Sequence, residues 1–173
     1  MKKEDYADVL FFDEARFGTH TKIGYGWFPK GERTPVKMKI GYKAFYVYGA
    51  VSAKTGSNYS ASFPNVNTEC MNDFLKRLSK HYQEKKIAII MDGAGWHRSE
   101  DLETPENIDI FLLPPYSPEL NPVERFWGYL KQNVMHNKLF ESLDEIEESL
   151  QTFLNNLKDS TVAQLCNNNY LVI

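Results

Sequence analysis

Two short, unbroken apolar runs, each closed by an aspartate, constrain this chain more than any other feature. Ala7–Asp13 reads ADVLFFD, and Lys86–Asp92 reads KIAIIMD. Neither shows the alternation of a strand with one wet face. Runs of this kind belong to strands covered on both sides, as in a sheet with helices packed against it. In such sheets, sites form beyond the carboxyl ends of the strands. Asp13 and Asp92 are therefore expected at strand tips, near each other, at one end of the sheet.

The rest of the pattern supplies the partners. Strands are expected around Ala44–Val51 and Tyr59–Phe63, separated by the turn residues Lys54, Thr55, Gly56 and Ser57. Met71, Phe74, Leu75, Leu78 and Tyr82 then recur at helical spacing, with Asn67 or Thr68 as N-cap. A helix joining two buried strands calls for a parallel pair with a right-handed crossover. Asp109–Leu113 (DIFLL) is a further apolar strand, followed by the stiff segment PPYSPELNP. Asn121 and Pro122 form the cap and first position of the next helix. Its Phe126, Trp127, Leu130 and Val134 read as core. Ser142 and Glu145 form a capping box for a last long helix, with Leu143, Ile146, Leu150, Phe153, Leu154 and Leu157 on one stripe.

Global properties narrow the function class. A length of 173 residues fits one domain, spanning 1–173 with its core at about 7–157. No apolar run approaches the ~18 residues that a membrane-spanning helix needs. The acidic start MKKEDYADVLFFDE is a poor secretory signal. No membrane partner is expected, and the cytoplasm is, at the nucleoid if the source is bacterial. Cys70 and Cys166 are too far apart for a zinc or disulfide framework, and the four histidines show no zinc spacing.

Charge points both ways. The net charge of −3 is not the usual footprint of a DNA-binding domain. Its distribution is uneven, however. Lys22, Lys30, Arg33, Lys37, Lys39 and Lys43 face a single acid, Glu32, over one stretch, whereas Glu141 to Glu148 holds five acids and no base. A basic hairpin and an acidic helix can present a cationic face despite the negative total. Lys30, Arg33, Lys37 and Lys39 are the candidates for DNA-backbone contact.

Aspartates at strand tips, joined by a carboxylate from a nearby helix, make a hard-oxygen pocket suited to Mg²⁺ or Mn²⁺. Two such ions about 4 Å apart activate an attacking hydroxyl and stabilise the leaving oxygen of a phosphodiester. FFDEARF, MDGAGWH and LPPYSPELNPVERFW, in that order, resemble the three blocks of DDE transposases and endonucleases, in their mariner-like insertion-sequence branch. The similarity runs from about Val9 to Leu157. It implies an α/β ribonuclease-H-like fold, with a mixed central sheet flanked by helices. The family triad carries over onto Asp13, Asp92 and Glu124 as catalytic residues and metal ligands for two Mg²⁺, with Mn²⁺ able to substitute.

The same resemblance implies cut-and-paste DNA transposition: strand cleavage and strand transfer on double-stranded DNA (transposon ends and target), with a homodimer in the DNA complex. Relatives of this kind carry an N-terminal helix-turn-helix region. Here the first catalytic strand starts within ten residues of Met1, so that region is expected to be absent. His97, Glu14 and Glu119 are reserve candidates for supporting or substrate contacts. Glu14 is expected on the strand face opposite Asp13. Glu124 has a second reading as the third residue of a capping box. Two other functions stay open at this point: a nuclease of the same fold without transposition, and an inactive DNA-binding remnant.

Overall fold

Side chains alternate along β1 (Asp8–Gly18), and this alternation divides the core in two. Leu10 and Phe12 pack on one side against Met71, Phe74, Leu75 and Leu78 of helix α1 (Thr68–His81). Phe11, Ala15 and Phe17 pack on the other against three helices, α2 (Val123–Val134), α3 (Leu143–Asn155) and α4 (Asp159–Cys166). Both faces are covered, as the unbroken apolar run requires. The computed structural model describes residues 6–21, 29–31, 39–97, 99–115 and 117–167. No helix among them is long and apolar enough to cross a membrane.

With β2 (Ala44–Val51), β3 (Asn58–Phe63), β4 (Ile87–Met91) and β5 (Ile108–Leu112), β1 forms a mixed sheet of order β3-β2-β1-β4-β5. The β1–β2 and β2–β3 pairs are antiparallel, and the β1–β4 and β4–β5 pairs are parallel. This is the mixed sheet with flanking helices expected from the order of elements.

Two local expectations need correction. First, β1 does not end at Asp13 but runs on to Gly18. Antiparallel β2 continues to satisfy its backbone there, from Asp13↔Gly49 to Gly18↔Ala44. Parallel pairing with β4 stops earlier, at Phe11↔Ile90. Asp13 therefore lies where β1 loses one neighbour and not at the tip of the strand. Second, α1 does not join adjacent strands. The strands it connects, β3 and β4, run in the same direction but are separated in the sheet by β2 and β1, and β4 pairs in parallel with β1 and β5.

The caps follow local chemistry. Asn67 caps α1, its side chain accepting a 2.9 Å hydrogen bond from the Cys70 amide. Ser142 Oγ accepts from the Glu145 amide at 3.2 Å, and the Glu145 carboxylate accepts from the Glu141 amide at 2.8 Å. The box thus closes one residue further out than the standard pattern. Leu157 lies beyond the end of α3 and still packs on the core. The short α4 was not anticipated. It buries Val162 and Cys166, and the turn at Gly56 (φ +77°) fits against the Asp159 carbonyl, where a side chain would collide.

Candidate active site

Asp92 follows the last residue of β4 directly, at the carboxyl end where the sequence pattern places it. The chain then turns through Gly93 and Ala94 into a 3₁₀ turn, Gly95–His97. Asp92 Oδ1 accepts from the Ala94 amide at 3.2 Å, and the His97 amide donates to the Ala94 carbonyl at 3.0 Å. This turn brings the His97 ring back beneath Asp92. Its Nδ1 lies 2.9 Å from Asp92 Oδ1 and 3.0 Å from the Asp92 carbonyl, and its Nε2 lies 3.1 Å from Glu14 Oε1.

The His97 side chain is 1% exposed, Glu14 9% and Asp92 62%, so a buried ring joins a partly buried acid to an open one. Burial lowers the pKa of His97. The hydrogen bond and negative charge of Glu14, together with Asp92, outweigh that and raise it above the ordinary range. With oxygens facing both ring nitrogens, the imidazolium form satisfies both sides. Glu14 does lie on the face opposite Asp13. It makes its bond there, beside Phe12, whose ring meets the His97 ring edge-on at 5.6 Å.

Asp13 faces the α2 side, where its Oδ2 accepts a 3.0 Å hydrogen bond from Trp127 Nε1. Sequence reasoning read Trp127 as core alone. The side chain is indeed buried, but a buried indole N–H needs an acceptor, and that was the missed signal. Desolvation raises the Asp13 pKa to about 7, with the negative charges of Glu124 and Glu14 adding to it. The Glu14 backbone amide and the Trp127 N–H pull the other way.

The start of α2 is fixed to β1 beside Asp13. Asn121 is buried, its Nδ2 donating to the Phe12 carbonyl at 2.9 Å and its Oδ1 accepting from the Val123 amide at 3.2 Å. Asn121 thus acts as the cap, with Pro122 already in helical conformation. Glu124, in the first turn, is exposed and accepts no hydrogen bond among the described residues, so the capping-box geometry is not formed.

Asp13, Asp92 and Glu124, from three separate elements, line one open cleft of about 460 Å³ together with Gly93, Ala94, Leu113, Pro114, Pro115, Ser117 and Asn121. Among the described residues no three His, Cys, Asp or Glu side chains stand close enough together to hold a metal ion between them as they are. The three acids line the cleft from separate segments of the chain. Glu119, on the 3₁₀ turn Pro118–Leu120, does not line it.

The candidate DNA-backbone residues divide. Arg33 and Lys37 lie outside the described residues, and Lys30 is exposed. Lys39 is engaged with the segment just before α3. Its Nζ lies 2.8 Å from Glu141 Oε2 and donates to the carbonyls of Phe140 and Glu141 at 3.1 and 3.3 Å.

A family model described as DDE superfamily endonuclease matches residues 8–147. The chain is 37% identical over 102 residues to an uncharacterized protein (y4pE/y4sA) of Sinorhizobium fredii, covering 58% of this chain and 76% of that one. It is 26% identical to the insertion element IS630 uncharacterized 39 kDa protein of Shigella sonnei, covering 84% of this chain and 44% of the other. With the Tc3 transposase of Caenorhabditis elegans it shares 25% identity, over 93% of this chain and 53% of that protein. The chain thus spans about half the length of the latter two relatives.

Among solved structures, the Mos1 transposase paired-end complex with left transposon end superimposes with a TM-score of 0.72 at 16% identity, over 95% of this chain and 53% of that one. The Mos1 strand transfer complex gives 0.70 at 15% identity, over 91% of this chain and 50% of that one. Paired-end complexes of the same protein with Mn and with Mg give 0.69 and 0.67. The likeness shows a shared fold, the ribonuclease-H-like arrangement of the sheet and helices described above.

Proposed function

The chain belongs to the DDE superfamily endonucleases, and from that premise we propose that Asp13, Asp92 and Glu124 bind two divalent metal ions to cleave and join DNA strands. The observation that carries the proposal is the single cleft lined by these three carboxylates, one from mid-β1, one from the end of β4 and one from the first turn of α2. The donor set fits the ions: it is all oxygen, anionic and open to solvent on one side, as Mg²⁺ and Mn²⁺ require. The Mos1 complexes solved with Mg and with Mn support the same choice of metals.

When bound, the ions supply Lewis-acid activation of the attacking hydroxyl and stabilisation of the leaving oxygen. The protein's own residues prepare that chemistry. Asp13, carrying a proton up to about pH 7, yields it when a cation takes its place. His97 contacts the Asp92 carboxylate through Nδ1 and is itself held by Glu14 through Nε2, which orients the ring. Asn121 ties the first turn of α2, which carries Glu124, to β1 beside Asp13. Water or a 3′-hydroxyl then attacks the phosphodiester, first freeing a 3′-hydroxyl and then joining it to target DNA, with no covalent bond to protein. The substrates on this reading are transposon ends and target duplex, held by a homodimer.

The test is joining of a pre-cleaved transposon end to plasmid DNA in Mg²⁺ or Mn²⁺. Joined product that disappears in EDTA and in Asp13→Asn or Asp92→Asn is expected. Cleavage without joining reduces the reading to a nuclease of the same fold. Cleavage that persists in excess EDTA, or a trapped protein–DNA adduct, overturns it.

A further inference from the structure

The register of the sheet aligns three residues across one face: Asp13 on β1, Gly49 on β2 and Ser60 on β3. The Trp127 indole lies over this row. One end reaches Asp13, with Nε1 3.0 Å from Oδ2. The other end fills the space above Gly49, where a methyl group would overlap ring carbons Cζ2 and Cη2. Ser60 Oγ borders the same space, buried and without a hydrogen-bond partner among the described residues. Gly49 lies inside β2 and not in a turn, and its φ is not positive. A glycine inside a strand weakens the strand unless something must approach the backbone closely. Here the indole makes that approach.

We propose that Trp127, seated in the slot that Gly49 opens in the sheet, is a positioning residue that holds the Asp13 carboxylate in place for metal binding. The proposal rests on the reading of Asp13 as a metal ligand given above. The geometry serves two purposes at once. The N–H engages one oxygen of Asp13 and fixes the rotation of the carboxylate. Depth of the indole in the slot also sets how closely α2 approaches β1, and α2 carries Glu124 one turn before Trp127. A group that orients a metal-binding carboxylate typically changes metal affinity or activity 10- to 100-fold when removed.

The test compares the 173-residue chain with two variants. In one, Trp127 is replaced by 3-benzothienylalanine, which keeps the shape of the indole and lacks the N–H. In the other, Gly49→Ala keeps every polar group and displaces the ring. Mn²⁺ binding is measured by calorimetric titration, alongside the thermal transition and the Mn²⁺ concentration for half-maximal DNA cleavage. Both variants are expected to bind Mn²⁺ at least about tenfold more weakly. The benzothienyl variant is expected to melt close to wild type and to recover cleavage at high Mn²⁺. Wild-type Mn²⁺ affinity in the benzothienyl variant overturns the proposal, leaving Trp127 as core alone. Asp13→Asn is titrated in parallel. If it binds Mn²⁺ like wild type, the ligand reading itself fails. If it loses Mn²⁺ while the benzothienyl variant binds unchanged, positioning alone fails.

Discussion

Ionisation of Asp13 is opposed from several sides at once: the carboxylate is desolvated, and Glu124 and Glu14 add negative charge nearby, so its pKa stands at about 7. The folded chain therefore keeps a proton that the unfolded chain releases near the ordinary carboxylate range. Stability that comes from this proton is full at low pH and is lost as pH rises towards 7. The raised pKa of His97 acts in the same direction at higher pH, its contribution being lost as pH rises above the ordinary histidine range. Comparing wild type with Asp13→Asn isolates the first effect. Without metal, the variant should gain on wild type between about pH 4 and 7, followed by denaturant unfolding. Adding Mg²⁺ should stabilise wild type increasingly over the same window, because below pH 7 the cation must displace the proton. A pH-independent Mg²⁺ effect contradicts this.

Glu124 gives the second residue-scale prediction. It accepts no hydrogen bond among the described residues, and its charge opposes that of Asp13. Glu124→Gln should leave metal-free stability equal or slightly higher, while activity falls by orders of magnitude. Near-wild-type cleavage by the folded variant would remove Glu124 from the metal site. The sequence left Glu124 between cap and ligand, since Asn121 and Glu124 have capping-box spacing. The buried Asn121 side chain distinguishes them, because it bonds Phe12 and Val123 and receives nothing back. Spacing along the chain could not reveal that long-range bond to β1.

At the scale of elements, what could be read depended on how local the cause was. Strands and helices with two-sided or one-sided burial wrote their period into the sequence, and β2 falls on Ala44–Val51 as expected. The extension of β1 past Asp13 was less legible. From Glu14 onward the pattern alternates, with Ala15 and Phe17 buried and Arg16 exposed, because only β2 accompanies the strand there. Helix α4 carries a weak stripe and no side-chain cap, so its position depends on tertiary contact with α2 and with the Gly56 turn.

The connection between β1 and β2 carries the element-scale prediction. Each phosphate contact adds about 0.9 to the slope of log affinity against log salt. Replacing Lys30, Arg33 and Lys37 together with Ala should weaken duplex binding and flatten that slope by up to about three units, read by fluorescence anisotropy. Lys39→Ala should change the slope little, because its ammonium group is held by Phe140 and Glu141. An unchanged slope in the triple variant makes the segment a solvated face.

For the whole molecule, a net charge of −3 sits beside an acidic cleft that is to receive a polyanion. On the proposed reading divalent cations reconcile the two: they would neutralise the three acids and offer the phosphate a positive surface. The proposed chemistry requires metal in that cleft. Crystals grown with saturating Mn²⁺ near pH 8, measured at a wavelength where manganese scatters anomalously, test it most directly. The account predicts two anomalous peaks about 4 Å apart, between the carboxylates of Asp13, Asp92 and Glu124. A cleft without manganese, or manganese bound by acids elsewhere on the chain, contradicts it.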